Sequence, residues 1–207
     1  MNFLAHSMIS LELEKTIPNS RTLFGNFVGD FYKGRIENLA VASHIQDGVR
    51  LHRFIDSTTD RQENFLNPLL AKDFGRFKGI VSDIVIDHFI AKNFSGLFQL
   101  DLEQTEMEIL ETILQYQSIF PREFRSLLNW LSQNKALSHY AYLDFLTDRV
   151  FSGMAQRITR GEKLCLAGDV LKKHYAELEK LAIQEFLYTK DESIRKYQSY
   201  IALANIT

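Results

Sequence analysis

The chain has 207 residues, with 24 basic and 26 acidic side chains and a formal net charge of −2. This balance argues against a nucleic-acid binder, because such proteins carry a clear excess of basic residues. Hydrophobic residues make up 45% of the chain, as in soluble globular proteins. This length favours one domain over two, so we expect a single domain over residues 1–207.

The sequence contains no indication of secretion or of a membrane segment. Its first residues lack the positive start and continuous apolar core of a signal peptide. No run reaches the roughly 18 apolar residues of a membrane-spanning helix. The single cysteine, Cys165, cannot form an internal disulfide, and we expect a buried or half-buried thiol there. These features predict a cytoplasmic protein without a membrane partner.

Apolar residues recur at helical spacing along nearly the whole chain, and no useful length of strand-like alternation occurs. We therefore predict an all-α fold, an irregular multi-helix single domain. Pro18-Asn19-Ser20 indicates a loop, and Gly34 indicates the end of a helix. In chain order, helices are predicted over residues 2–13, 23–34, 38–59, 76–94, 102–120, 121–134, 138–158, 162–187 and 191–203. Asn67-Pro68 indicates either a bend or a helix start.

Two of these helices carry acids and histidines one turn apart. His52, Asp56 and Asp60 share one face of the helix over 38–59, because residues four apart lie together. Asp83 and Asp87 share one face of the helix over 76–94, and His88 lies beside them. Both stripes lie in apolar sequence, where an unpaired carboxylate is costly. A divalent metal is one way to compensate these charges.

Two earlier segments carry similar pairs. Asn2 and His6 are four residues apart, and so are Asn26 and Asp30. All these residues precede residue 89, so we divide the chain into a motif-bearing part, 1–94, and a helical remainder, 95–207. Imidazole and carboxylate ligands suit manganese, iron or zinc, and magnesium is an alternative where carboxylates dominate.

Each of these residues also has a purely structural interpretation. His6 alone fits a buried hydrogen bond, and Asp30 alone fits a helix-terminal charge. Asp56 and Asp60 alone fit a solvated face paired with arginines. The constellation is therefore the stronger indication of a site than any single member.

The motifs occur in a specific order. They are MNFLAH (1–6), GNFVGDFYKG (25–34), GVRLHRFID (48–56), TD (59–60), GIVSD (79–83) and DHFIA (87–91). This order resembles the acyl carrier protein phosphodiesterase family, hydrolases that remove phosphopantetheine. Met8 and Gln62 stand where members of that family often carry a histidine.

The resemblance implies an all-α fold like that of the His-Asp metal phosphohydrolases, with a divalent metal. Manganese is the expected ion, with magnesium or iron as alternatives. It also implies hydrolysis of the phosphodiester between 4′-phosphopantetheine and a serine of acyl carrier protein, which is the expected partner. Asp30 falls on the catalytic aspartate of the family. The sequence does not indicate an oligomeric state.

We assign roles within these motifs as follows. The metal ligands are expected among His6, Asp30, His52, Asp56, Asp83, Asp87 and His88. An octahedral ion takes about six donors including waters, so some of the seven must instead orient the ligating imidazoles. Asp30 or Asp60 is the expected general base. The residues expected to bind phosphate or substrate are Asn26, Lys33, Arg53 and Arg76, although the two arginines also fit surface salt bridges.

Because acyl carrier proteins are acidic, we expect a locally basic docking surface. Its candidates are Lys33, Arg35, Arg50, Arg53, Arg61, Lys72, Arg76 and Lys78. Two other functions remain open: a metal phosphohydrolase acting on a nucleotide or another small phosphoester, and a helical protein that binds carrier protein without turnover. A di-iron bundle ranks low, because its paired Glu-x-x-His motifs are absent from the sequence.

Overall fold

A computed structural model describes residues 1–204, and its regular elements are all helical, which confirms the predicted all-α fold. Shorter 3-10 turns connect several helices, and a π-helical segment, Leu146–Phe151, joins the tenth helix to the eleventh. The α-helices are α1 (Phe3–Thr16), α2 (Leu23–Phe27), α3 (Ser43–Thr59), α4 (Asn67–Phe74), α5 (Lys78–Lys92), α6 (Phe94–Phe98), α7 (Leu102–Leu114), α8 (Phe124–Gln133), α9 (Ala136–His139), α10 (Leu143–Phe145), α11 (Ser152–Arg157), α12 (Ala167–Lys173) and α13 (Tyr175–Ala204).

One apolar core connects the motif-bearing part with the remainder of the chain. The long helix α13 packs against both α3 and α5, the two helices that carry the acid-and-histidine stripes. Its fully buried Leu178 and Phe186 belong to the same cluster as Ile55 of α3 and Val85 of α5. The C-terminal helix therefore holds the two stripe-bearing helices together. Within residues 1–204, no helix has both the length and the apolar character needed to cross a membrane.

Helices α2 and α3 approach each other backbone to backbone. A Cβ atom on Gly25 would lie 2.2 Å from the carbonyl oxygen of Ile45, and one on Gly48 would lie 2.4 Å from that of Thr22. Any other residue at either position would push the helices apart. This approach places Asn26 of α2 directly beside α3.

Several predicted boundaries differ from the structure. The helix predicted from residue 38 begins at Ser43, because Leu39 and Ala42 have extended backbones with ψ of 122° and 153°. Pro121 does not open a helix, since α8 begins at Phe124 after a turn. The helix predicted over 138–158 is interrupted between α9 and α10. Cys165 is exposed, so the prediction of a buried or half-buried thiol was wrong.

The largest difference concerns the C-terminus. Two helices were predicted over 162–187 and 191–203, but the structure has a 3-10 segment at Gly161–Leu166, the short α12 and one continuous helix, α13. The stretch between the two predicted helices is polar, and the Thr189 hydroxyl in it donates to Glu185 Oε1 one turn earlier, at 3.2 Å. The helix therefore continues through this polar stretch.

A buried ion pair anchors α13 to the segment after α3. The carboxylate of Glu185 is fully buried and accepts two hydrogen bonds from the guanidinium of Arg61. It also accepts the backbone N–H of Phe65 at 3.0 Å. The Arg61 guanidinium lies over the ring of Tyr188, 4.2 Å from its centroid. Removing the carboxylate would leave a largely buried cation and an amide without a partner.

We expect Glu185→Ala to lower the free energy of unfolding by about 3–5 kcal/mol, since breaking a buried pair leaves its partner uncompensated. Glu179→Ala is the matched control, because Glu179 also lies on α13 but pairs with Lys92 at the surface. Glu179→Ala should lower the free energy of unfolding by about 1 kcal/mol or less. Urea unfolding followed by circular dichroism measures both. Equal losses in the two variants would contradict the anchoring role.

Candidate metal centre

Three of the predicted ligands meet at one point. His6 of α1 and His52 and Asp56 of α3 each offer a ligand atom, and these atoms all lie within 4.8 Å of one another. Asp56 Oδ1 is 3.3 Å from His6 Nε2, and Asp56 Oδ2 is 3.0 Å from His52 Nε2. Asp30, in the 3-10 turn Gly29–Phe31, places Oδ1 3.5 Å from His52 Nε2. The structure thus brings together residues from three separate motifs.

Asn26 fixes the orientation of both imidazoles. Its Nδ2 donates to the carbonyl of His6 at 2.7 Å and to Ser10 Oγ at 2.8 Å, so its Oδ1 must face His6 Nδ1, 2.7 Å away. His6 therefore donates from Nδ1. His52 Nδ1 also donates, because its partner at 2.8 Å is the backbone carbonyl of Asn26. In neutral imidazoles both Nε2 atoms then carry a lone pair.

These two Nε2 atoms fit a metal ion. Both are buried, and neither makes a hydrogen bond of acceptable geometry. Unpaired buried polar atoms are rare, and a shared cation is one ligand that would satisfy two of them facing one carboxylate. Imidazole nitrogens oriented through Nδ1, together with a carboxylate, are an established ligand set for divalent transition metals.

The electrostatics of the cluster indicate a shortage of positive charge. Burial opposes the charged form of His52, but the nearby carboxylates of Asp30 and Asp56 outweigh it and raise the pKa of His52 to about 9. Burial also works against ionised Asp56, yet the two histidines hold the pKa of its carboxyl well below the usual range. Burial and the neighbouring His52 lower the pKa of His6. The carboxylates therefore draw a proton to His52, a position that a divalent cation would take over.

The second stripe has other partners. Asp87 is fully buried, and its oxygens accept the backbone N–H groups of Asn2, Leu4 and Ala5 at 3.1, 2.8 and 3.3 Å. These are orphan amides at the N-terminus of α1, where a negative charge also interacts favourably with the helix dipole. Asp87 therefore caps α1 and starts the helix that carries His6.

Asp83 and His88 are likewise engaged elsewhere. Asp83 Oδ1 pairs with the amino group of Met1 at 2.6 Å. His88 Nδ1 lies 2.7 Å from the carbonyl of Tyr140, and Nε2 lies 2.8 Å from the hydroxyl of Tyr175. With both nitrogens hydrogen-bonded, His88 connects α5 to α13. We therefore leave Asp83, Asp87 and His88 out of the ligand set.

A groove opens beside the centre. It has a volume of about 310 Å³ and is lined by Asp30, His52 and Asp56 together with Lys33 and Arg53. One guanidinium nitrogen of Arg53 donates to the carbonyl of Tyr32 at 3.1 Å, which holds the side chain along the groove. The centre is therefore accessible from the side where the cationic side chains lie.

Three of the other predicted site residues lie outside this groove. Asp60 lines a separate polar recess with Ser82 and Asp83. Arg76 stacks on Phe77 and donates to the carbonyl of Thr159 at 2.7 Å. Asn26 is fully buried, so we revise its predicted substrate-binding role to that of orienting His6 and His52.

The chain resembles one family along almost its entire length. The family model described as acyl carrier protein phosphodiesterase matches residues 1–188. A protein of that name from Photorhabdus laumondii is 29% identical, with 95% of this chain and 96% of its own length aligned. Relatives of the same name from Yersinia enterocolitica and Yersinia pestis are 31% and 32% identical, over 87% of this chain and 91% of theirs. No solved structure matches significantly, so the likeness to the His-Asp phosphohydrolase fold stays a prediction.

We expect Asp87→Ala to lower the free energy of unfolding by about 2–4 kcal/mol, because three amides lose a charged acceptor. Asp101→Ala is the control, since Asp101 caps α7 through one bond to the Gln104 amide, and its expected cost is about 1 kcal/mol. Urea unfolding measures both. If Asp87→Ala abolished Mn²⁺ binding without changing stability, Asp87 would instead be a ligand.

Proposed function

The chain belongs to the acyl carrier protein phosphodiesterase family, and we propose that its metal centre hydrolyses the phosphodiester between 4′-phosphopantetheine and a serine of acyl carrier protein. The products are apo carrier protein and free 4′-phosphopantetheine. The observation that carries this proposal is the pair of buried, unpartnered Nε2 atoms facing Asp56 beside an open groove.

The proposed ligands are His6 Nε2, His52 Nε2 and the carboxylate of Asp56. The resemblance favours manganese, and the mixed imidazole and carboxylate set also suits iron. A bound divalent ion supplies two things to this reaction: it lowers the pKa of a water, and it offsets negative charge on the phosphoryl oxygens. Asn26 holds both imidazoles in the tautomer that this role requires.

Asp30 is the proposed general base. Its side chain is 73% exposed, against 38% for Asp56, so it is the carboxylate of this cluster most open to the groove. The nearby His52 imidazole outweighs burial and lowers the pKa of Asp30, which keeps it ionised near neutral pH. The free carboxylate oxygen of Asp30 can then accept the proton of the attacking water. Asp60 lines a different recess, so Asp30 is the better placed of the two predicted bases.

Arg53 and Lys33 are the proposed phosphate-binding residues. Both line the groove, and Arg53 keeps further N–H donors beyond the one bound to the Tyr32 carbonyl. A guanidinium can bind two phosphate oxygens at once, which orients a diester for attack. Arg76 is not included, because it lies beside Phe77 and Thr159.

We expect removal of divalent ions by EDTA to abolish phosphopantetheine release and Mn²⁺ to restore it, because the ligand set has no other cation to replace the metal. Intact-mass spectrometry of holo carrier protein measures the loss of the phosphopantetheine mass. A parallel panel of nucleotides tests the alternative phosphoester substrates. Carrier-protein binding without mass loss in the presence of Mn²⁺ would favour the non-catalytic alternative.

We expect Asp30→Asn and Asp56→Asn to separate catalysis from metal binding. Asp30→Asn removes the base and should lower kcat by about 100- to 10,000-fold while Mn²⁺ still binds. Asp56→Asn removes a ligand and should weaken Mn²⁺ binding by about 100-fold or more. Calorimetric titration with Mn²⁺ and turnover assays distinguish the two effects. Asp60→Asn, at the residue directly after α3, is the control. A loss of kcat there as large as that of Asp30→Asn would transfer the base role to Asp60.

A further inference from the structure

The turn that carries Asp30 lies directly on the ring of His52. An ideal Cβ atom built on Gly29 would be 2.2 Å from His52 Cγ and 2.6 Å from both Cβ and Cδ2. The three nearest atoms all belong to this one side chain, and such distances are shorter than real Cβ contacts. The His52 side chain, a proposed metal ligand, therefore occupies the space that a side chain at position 29 would need.

Space, and not backbone conformation, is what glycine provides at this position. The glycines with positive φ among residues 1–204 are Gly34 and Gly75, so Gly29 has a backbone that an alanine can adopt. Gly25 and Gly48 also allow a close approach, but there the neighbouring atoms are backbone atoms of the opposite helix. Gly29 differs because its neighbour is a side chain of the site.

Gly29 also sets the distance between Asp30 and His52. The His52 ring is held by the hydrogen bond from Nδ1 to the Asn26 carbonyl and packs beside the His6 ring, with centroids 4.4 Å apart. The ring has little room to retreat from a new methyl group. The turn would have to lift instead, and Asp30 would move away from His52 Nε2, now 3.5 Å from its Oδ1.

We propose that Gly29 is a positioning residue of the metal centre: its missing side chain lets the Asp30 turn rest on His52, which fixes the ligand and the proposed base relative to each other. This inference rests on the proposed function. A displacement of about 1 Å at a catalytic group costs about 100-fold in rate, which is the size of effect expected here.

A double-mutant cycle tests the contact itself, without metal or substrate. The four proteins are the unmodified chain, Gly29→Ala, His52→Gly and the double variant, because His52→Gly removes all three clashing atoms. Gly29→Ala should lower Tm by about 5 °C in the unmodified chain and by less than about 1 °C in the His52→Gly background. An equal shift in both backgrounds would overturn the proposed contact.

Metal affinity and turnover test the functional consequence. Gly29→Ala should weaken Mn²⁺ binding in calorimetry by about 10- to 100-fold and lower kcat by about 100-fold, with far-UV circular dichroism unchanged. Gly153→Ala is the control, because a Cβ at Gly153 meets nothing within 4 Å, and it should leave both values unchanged. If the unmodified chain binds Mn²⁺ and Gly29→Ala binds it equally well with equal kcat, Gly29 has no positioning role. If the unmodified chain binds no Mn²⁺, the proposed metal centre itself fails, and the cycle still reports on the contact.

Discussion

The close crossing of α2 and α3 is the constraint on which the proposed metal centre depends. Gly25 and Gly48 allow the two backbones to touch, and this contact brings Asn26 beside His52. Asn26 then bonds His52 through its carbonyl and His6 through its side chain. One buried residue without charge thereby sets the tautomer of two imidazoles from two different helices. Because each imidazole donates from Nδ1, the lone pairs of both Nε2 atoms point to the same place. Two freely rotating histidines would not hold this arrangement.

A second buried polar group places the remaining helix. Asp87 accepts hydrogen bonds from the first amides of α1, which fixes the start of that helix against α5. His6 is the next residue after Ala5, so its position is fixed as well. A lone carboxylate in this apolar setting would be costly, and three N–H donors and the helix dipole offset part of that cost, while burial still raises the pKa of Asp87 to about 7. The Asp83–Asp87 stripe therefore contributes to the site indirectly, through the position of α1. Asp83 and Asp87 hold the start of the helix that carries His6. Their role is structural, although aspartates are also common metal ligands.

Helical periodicity predicted the elements and the stripe of His52 and Asp56 well, because that information is local. Periodicity could not distinguish the proposed metal ligand Asp56 from the helix-capping Asp87. Both are acids in apolar helices, and they differ only in the residues that pack against them. The partners of Asp87 lie more than 80 residues away in sequence, and Arg61, the ion-pair partner of Glu185, lies 124 residues away. The same limit explains why Asn26 was assigned to the substrate. Residues that act through long-range partners carry no signature in their own segment.

The exposed fraction of the side chains increases across the proposed metal centre, from the histidines to the carboxylates. This gradient indicates the side from which a substrate enters. The side chains of His6 and His52 are 3% and 8% exposed, whereas those of Asp56 and Asp30 are 38% and 73% exposed. The histidines therefore form the floor, and the carboxylates form the side that faces the groove with Lys33 and Arg53. A phosphodiester entering this groove meets cationic side chains and the free carboxylate of Asp30 before it reaches the buried imidazoles. Because Asp30 and Asp56 line this groove together with Lys33 and Arg53, the groove brings the substrate to the carboxylate side of the centre, where the proposed base is most exposed.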